Sequence, residues 1–320
     1  GYRLVVVQGT RAEEYAARGL DQRLHHETLA ADRGTIFDAD GRELALTVDS
    51  VTVYANPREI TQPDVVARLL APLVGQEPEA VEDLLSVDGT FVYIARQLER
   101  ADAEIVRAAD LPGIYFLEEP KRIYPAGALT AQLIGFVRPD DNLGLEGLEY
   151  FYEEELAGTP GELLVERDPS GKTIPQGEYS VTPAEPGSDL VLTLRTSIQY
   201  AAEQALREGM ERTGATAGSV VVLDPETGAI LAMVNLPGFD PTARTNLTPD
   251  QVRNRAVTDL FEPGSTQKLV TVAAALEAGL VTPGTALDIP ERIEILDTVF
   301  QDFTAHADRP PQRIGLSATQ

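Results

Sequence analysis

Between residues 35 and 55, apolar and polar side chains alternate in three short runs: Thr35-Ile36-Phe37, Glu43-Leu44-Ala45 and Val51-Thr52-Val53-Tyr54-Ala55. Each run predicts a strand, and Asp40-Gly41 predicts a tight hairpin turn between the first two. Upstream, Thr10 to Leu29 is polar and helix-compatible, with Tyr15, Leu20 and Leu24 as its bound face. From Pro57 to Leu111 the period lengthens, because Val65-Val66, Leu69-Leu70 and Leu84-Leu85 recur at helical spacings. That predicts a small helical subdomain inserted between strands, with β pattern resuming at Ile114-Tyr115-Phe116-Leu117. A helix is predicted from Asn142 to about Leu156, closed by Gly158, with Pro160-Gly161 as a turn. Within it, Glu153-Glu154-Glu155 reads as a solvated face rather than a metal site. Glu162 to Glu166 and the turn at Asp168-Pro169-Ser170-Gly171 continue a hairpin-rich passage, and Pro183 to Gly187 reads as a linker.

Beyond the linker, Asp189 to Leu194 predicts a strand, and Ser197 is the expected cap of a helix carrying Ile198, Ala201, Ala202, Ala205 and Leu206 on one face. Ala217 to Leu223 and Ala229 to Val234 are two apolar strands joined by Asp224-Pro225-Glu226-Thr227-Gly228. They read as a hairpin at the heart of a buried sheet. Runs of hairpins and helices in this order give an α+β chain.

One stretch carries candidate chemistry. In Phe261-Glu262-Pro263-Gly264-Ser265-Thr266-Gln267-Lys268, Pro263 and Gly264 break the chain, and the apolar run from Leu269 to Gly279 predicts a buried helix. Ser265 then lies at a helix start with Lys268 on the same face, placed to take the serine proton if its amine is neutral. Burial would favour that neutral form. Backbone N–H groups at the helix start, that of Ser265 included, would face an oxyanion. Taken alone, the bare Ser-x-x-Lys pattern reads more readily as an N-cap serine with a surface lysine one turn on. What shifts the balance is that one of only three lysines falls inside an apolar run.

Composition narrows the partners. With 51 acidic against 26 basic side chains and a formal charge of −25, the chain lacks the basic footprint that nucleic acid or anionic lipid requires. Without cysteine there are no disulfides or thiolate sites, and three histidines, His25, His26 and His306, do not make a zinc motif. No run of eighteen apolar residues occurs, and no signal peptide is recognisable. The first residues open in mid-pattern without an initiator methionine, so the expectation is a longer protein with a targeting or membrane segment upstream.

Phe261 to Lys268, preceded by Arg253-Asn254-Arg255-Ala256-Val257, resembles the first active-site motif of class B penicillin-binding proteins, most closely the cell-division branch. Three further segments resemble the same family in the same order. They are Arg33-Gly34-Thr35-Ile36-Phe37-Asp38 with Gly41 and Leu44-Ala45; Gly144-Leu145-Glu146-Gly147-Leu148-Glu149; and Val221 to Met233. By its residues alone, Arg33 is either a surface arginine or an ion-pair partner bracing the hairpin. The resemblance marks Arg33, Gly34, Asp38, Gly41, Gly144, Glu146 and Glu149 as structural motif residues. It implies an extended pedestal of hairpins and small helices over residues 1–188, with the helical insertion at about 57–111. The first part of an α/β transpeptidase domain of the serine β-lactamase-like type would follow over 189–320.

The activity implied is that of a serine D,D-transpeptidase. Ser265 would attack the carbonyl between the terminal D-alanines of a peptidoglycan stem peptide, with Lys268 as general base. An amine of a neighbouring stem would resolve the acyl-enzyme, and β-lactam antibiotics would acylate the same serine. No metal or other cofactor is implied. Implied partners are peptidoglycan, a membrane glycosyltransferase and other division proteins. The implied location is the outer face of the cell membrane, with a single-pass anchor upstream of residue 1. Ala39 stands where the family often has arginine, and Gln267 where an apolar residue is common. The family's later Ser-x-Asn and Lys-Thr/Ser-Gly motifs do not occur, and Ser317-Ala318-Thr319 lacks the asparagine. The segment alone is therefore expected to be inactive and poorly folded beyond about residue 190. Two other readings stay open: a non-catalytic division scaffold with this fold, and a β-lactam-sensing receptor, against which the long N-terminal region speaks. A Gly-x-Ser-x-Gly hydrolase is excluded by the residues around Ser265.

Overall fold

A computed structural model describes residues 23–166, 174, 179–244, 247–288, 292–301 and 313–315. By its contacts the chain divides into two units, residues 1–258 and 259–320.

In the first unit β1 (Leu24–Leu29) pairs antiparallel with a later strand, which replaces the end of the predicted helical stretch; residues 10–22 of that stretch lie outside the described ones. The hairpin predicted at Asp40-Gly41 is present between β2 (Ile36–Phe37) and β3 (Glu43–Ala55), with Gly41 at φ +79°. β3 is one thirteen-residue strand where the pattern showed two. Its interior polar residues are satisfied: Ser50 donates to the carbonyl of Glu119 and Thr52 to the Glu119 carboxylate. A polar side chain with a partner does not interrupt a strand.

The region from 57 to 111 holds α1 (Pro63–Val74), α2 (Pro78–Leu85), β4 (Val92–Leu98) and α3 (Arg100–Ala108). It is not purely helical, since β4 pairs with β3. On the other side β3 pairs along ten residues with β5 (Ile114–Ile123), from Leu46 opposite Ile123 to Ala55 opposite Ile114. The three helices seal this sheet through Val66, Leu70, Val81, Leu85 and Val106 against Val53, Ile94 and Ile114. Such amphipathic faces have no other way to leave water.

The predicted helix over 142–156 is two short ones, α5 (Gly147–Phe151) and α6 (Glu153–Leu156), preceded by α4 (Ala131–Ile134). β6 (Gly161–Glu166) joins β1 and β7 (Tyr179–Thr182) in a three-stranded sheet; the turn predicted at 168–171 lies outside the described residues. The predicted strand at 189–194 reduces to β8 (Leu190–Val191), parallel to β2. A second core of Ile36, Leu44, Tyr124, Ile134, Leu156 and Leu194 fills the space where these pieces meet.

Next come α7 (Thr196–Thr213), β9 (Gly218–Leu223) and β10 (Ile230–Leu236), the last two paired as predicted. Ser197 is not the cap: the helix begins at Thr196, whose N–H and hydroxyl donate to Asp38 Oδ2 at 3.2 and 2.6 Å. The hairpin is not wholly buried either, because Val221, Leu223 and Ile230 remain exposed. Packing nevertheless continues well past residue 190, through Leu194, Ala232, Met233, Val234, Leu236 and Phe239. α8 (Pro249–Val252) and α9 (Arg255–Thr258) close the unit.

The second unit contains a 3-10 turn at Gly264–Thr266, α10 (Gln267–Glu277) and two strand pairs. β11 (Ala286–Asp288) pairs with β14 (Arg313–Gly315), and β12 (Arg292–Ile295) with β13 (Thr298–Gln301).

Candidate active site

Ser265 sits in the middle of the 3-10 turn, and Lys268 is the second residue of α10. The turn follows from Pro263-Gly264: Gly264 adopts φ +52°, a conformation disfavoured for other residues, and Thr266 N–H then donates to Pro263 O at 3.0 Å. The helix start predicted after Pro263-Gly264 is therefore present, and the three-residue spacing puts both side chains on one face. Ser265 is not a capping residue, since the positions flanking the turn are Pro263 and Gln267 and no side-chain cap bond forms. Ser265 and Lys268 make no hydrogen bond with each other.

Burial departs from the sequence expectation. Ser265 and Lys268 are both exposed, and α10 has no buried residue, with Leu269 at 73% and Val270 at 60% exposure. Among the described residues of this unit nothing covers the apolar sides of α10, so the desolvation expected around Lys268 is not supplied by them.

The other motif residues belong to the first unit, and the fold gathers most of them. Arg33 Nε donates to Glu149 Oε2 at 2.7 Å, and its Nη2 donates to Glu149 O at 2.8 Å and Glu153 Oε2 at 2.7 Å. The arginine is thus a buried ion-pair partner, bound to residues more than a hundred positions away rather than to its own hairpin. Burial works against its charge, but the hydrogen bond it donates to Glu153 and the field of Glu149 outweigh it and hold the pKa above the ordinary value. Glu153 also accepts from Gly144 N–H at 2.9 Å, so it is not part of a solvated face as the acidic run suggested. Among the described residues no cluster of acidic and histidine side chains is arranged to hold a metal.

Gly34 and Gly144 are glycines for want of space. A Cβ on Gly34 would meet Ser188 O at 2.0 Å, and one on Gly144 would meet Glu149 O at 2.1 Å. Asp38 is fully shielded and binds Asp40 N–H and Arg42 N–H through Oδ1, both at 2.9 Å, besides its Thr196 bonds. Desolvation pushes its pKa up, yet the Thr196, Arg42 and Asp40 hydrogen bonds prevail and leave it below the usual carboxylate range. Gly41, exposed at its hairpin turn, and Glu146 stand apart; Glu146 is exposed at the start of α5, where its carbonyl accepts from Tyr150 N–H at 3.2 Å.

Two residues of this framework were missed by sequence reasoning. Arg122, on β5, donates from Nε to Glu149 Oε1 at 2.8 Å and completes the buried charge group. Its signal was a charged residue in an otherwise β-patterned run. Gln199, 1% exposed, donates to Leu129 O and Met233 O at 2.9 and 2.8 Å and accepts from Met233 N–H at 2.8 Å, fixing α7 to β10. Nothing in the spacing marked it among the apolar positions of the helix.

Comparison with known proteins fits this arrangement. Residues 28–192 match the penicillin-binding protein dimerisation domain, and residues 218–314, which include Ser265 and Lys268, match the penicillin-binding protein transpeptidase domain. The chain belongs to the penicillin-binding protein family that joins these two domains. It is 34% identical over 284 residues to the peptidoglycan D,D-transpeptidase FtsI of Escherichia coli, covering 84% of this chain and 47% of that protein. It is 32% identical to penicillin-binding protein PbpB of Mycobacterium tuberculosis, covering 98% of this chain and 49% of that protein. A crystal structure described as a peptidoglycan synthetase from Bifidobacterium adolescentis matches with a TM-score of 0.63 at 26% identity, over 92% of this chain and 57% of that one. The chain thus spans about half the length of the curated relatives it matches.

Proposed function

We propose that the protein is a peptidoglycan D,D-transpeptidase in which Ser265 is the nucleophile and Lys268 the general base. The observation carrying this reading is that the transpeptidase match encloses a Ser-x-x-Lys turn at a helix start. Ser265 Oγ attacks the carbonyl carbon of the penultimate D-alanine as its proton passes to Lys268 Nζ. The tetrahedral oxyanion is held by backbone N–H groups that include that of Ser265. Collapse breaks the C–N bond, the proton returns to the departing D-alanine amine, and an ester to Ser265 remains. An amine of a second stem peptide then attacks the ester, giving the cross-link and restoring the serine. A β-lactam presents the same acyl carbon in a ring whose amine cannot leave, so the ester persists.

Ser-x-Asn and Lys-Thr/Ser-Gly elements are implied by the resemblance and do not occur in these residues. The proposal therefore concerns the protein at its relatives' length. Septal synthesis, a membrane glycosyltransferase and other division proteins as partners, and an extracytoplasmic position behind a single-pass anchor belong to the same reading. Its support is the similarity to FtsI. Among the described residues no helix is long and apolar enough to cross a membrane.

The test is labelling by a fluorescent penicillin of the full-length protein and of its Ser265→Ala variant. The reading expects a covalently labelled band that the variant lacks. A folded full-length protein that takes up no label would replace it with the scaffold reading.

A further inference from the structure

A small cavity of about 90 Å³ lies in the first unit, where β5 and the segment around Asn142 meet residues 241–244. Its lining includes Lys121, Arg122, Tyr124, Asn142, Thr242 and Arg244, three of them cations, and no carboxylate. The nearby carboxylates are already engaged: Glu149 with Arg33 and Arg122, Asp140 with Arg96, Asp141 with Arg138, and Asp240 as acceptor from the N–H and hydroxyl of Thr242. In a chain of net charge −25 a pocket of this sign is conspicuous.

Two polar atoms here lack partners. Arg122, 6% exposed, uses Nε on Glu149 and Nη1 on Thr47 Oγ1 at 3.2 Å, but its buried Nη2 has no acceptor. Asn142 turns its Nδ2 toward Pro120 O at 3.5 Å, which leaves its buried Oδ1 without a donor. Asn142 also holds a left-handed backbone at φ +55°. Buried groups of this kind are ordinarily satisfied, and each one left open is costly. Lys121 and Arg244 are anchored by one bond each, to Gln97 O and Val137 O, and retain further N–H donors.

The geometry points to a site for a small protonated oxyanion, of which hydrogen phosphate is the type. The cations and Arg122 Nη2 call for an anionic acceptor. Asn142 Oδ1 calls for a donor on that same anion, a demand that hydrogen phosphate meets through its hydroxyl and sulfate does not. About three water volumes are available, enough for an ion of four or five heavy atoms. Bound there, the anion links a part of the dimerisation match, residues 121–142, to a part of the transpeptidase match, residues 241–244. It thereby braces the joint between them. This inference does not depend on the acyl-transfer reading.

The experiment is thermal unfolding of the full chain with inorganic phosphate, sulfate, methyl phosphate or chloride at matched ionic strength, together with phosphorus-31 line broadening of phosphate by the wild type. A saturable rise of about 3 °C or more is expected with phosphate near ten times its Kd. Sulfate should bind at least about tenfold more weakly, the margin of one lost hydrogen bond with its acceptor left unpaired. Asn142→Asp, which places a second negative charge in the cavity, and the double variant Lys121→Gln with Arg244→Gln should lose the rise while keeping wild-type circular dichroism. Methyl phosphate, whose dianion carries no hydroxyl for Asn142 Oδ1, should bind as weakly as sulfate, and equal action with phosphate would overturn the assignment. The inference is overturned if sulfate matches phosphate, if the folded variants respond as the wild type does, or if the wild type neither broadens the phosphate line nor shifts. The last result would mean a cavity filled by water.

Discussion

The Arg33–Glu149 group and the Ser265–Lys268 turn are both motif segments, yet they differ in how completely their surroundings are built. Around Arg33, two arginines and two carboxylates are closed in by Gly34, Gly144 and the Leu156 end of α6, and Glu149 is wholly shielded. Around Ser265 the backbone is set by Pro263-Gly264, but both candidate side chains face solvent and α10 buries nothing. A motif whose partners lie in its own unit arrives finished, whereas one whose apolar sides are uncovered has only its local turn.

The largest effect separating the two should come from Lys268. In the full-length protein, Lys268→Ala should slow acylation by a penicillin by about 10²–10⁴-fold, the usual weight of a general base, while leaving the unfolding midpoint unchanged. Stopped-flow acylation beside thermal unfolding checks both halves, and a variant that loses stability but not rate would reverse the comparison.

In the Arg33 group the contrast runs the other way. Glu149→Ala leaves two buried guanidinium groups without their shared carboxylate and should cost about 3–5 kcal/mol in urea unfolding. Gly34→Ala should cost about 1–3 kcal/mol or more, because Ser188 O stands 2.0 Å from the added carbon and is backbone that cannot swing aside.

Asp38 sharpens the comparison through pH. Its pKa is lower folded than in its ordinary state, so its contribution is present above the unfolded value and is lost as pH falls through the folded one. Asp38→Asn should therefore flatten the acid limb of the stability curve below about pH 4, with a deficit against the wild type that is constant through neutral and alkaline pH and shrinks in acid. The smallest effect belongs to the surface: Asp64→Asn, which breaks an exposed pair with Arg68, should cost about 0.5 kcal/mol or less.

Much of this was legible from residue pattern. The Asp40-Gly41 hairpin, the β9–β10 hairpin and the helix start after Gly264 rest on turn chemistry, which acts between neighbours. Other features depend on distant partners. The strand at Leu24–Leu29 looked helical because its apolar residues are sparse and its pairing with Gly161–Glu166 is remote. β3 looked broken at Asp49-Ser50 because Glu119, which satisfies Ser50 and Thr52, comes from β5. Thr196 rather than Ser197 opens α7 because Asp38, far earlier in the chain, supplies the acceptor. In the candidate site, the resemblance marked Glu149, but only the fold could show that Arg33 and Arg122 divide its two oxygens. The exposure of Lys268 was likewise hidden, since an apolar run reports that a helix should be covered, not what covers it.

The central claim is tested most directly by mapping the penicillin adduct in the full-length protein. After reaction and trypsin digestion, the account predicts that the peptide from Ala256 to Lys268 carries the added mass and that fragmentation puts it on Ser265. An adduct on any other residue, or a full-length folded protein that forms none, would contradict it.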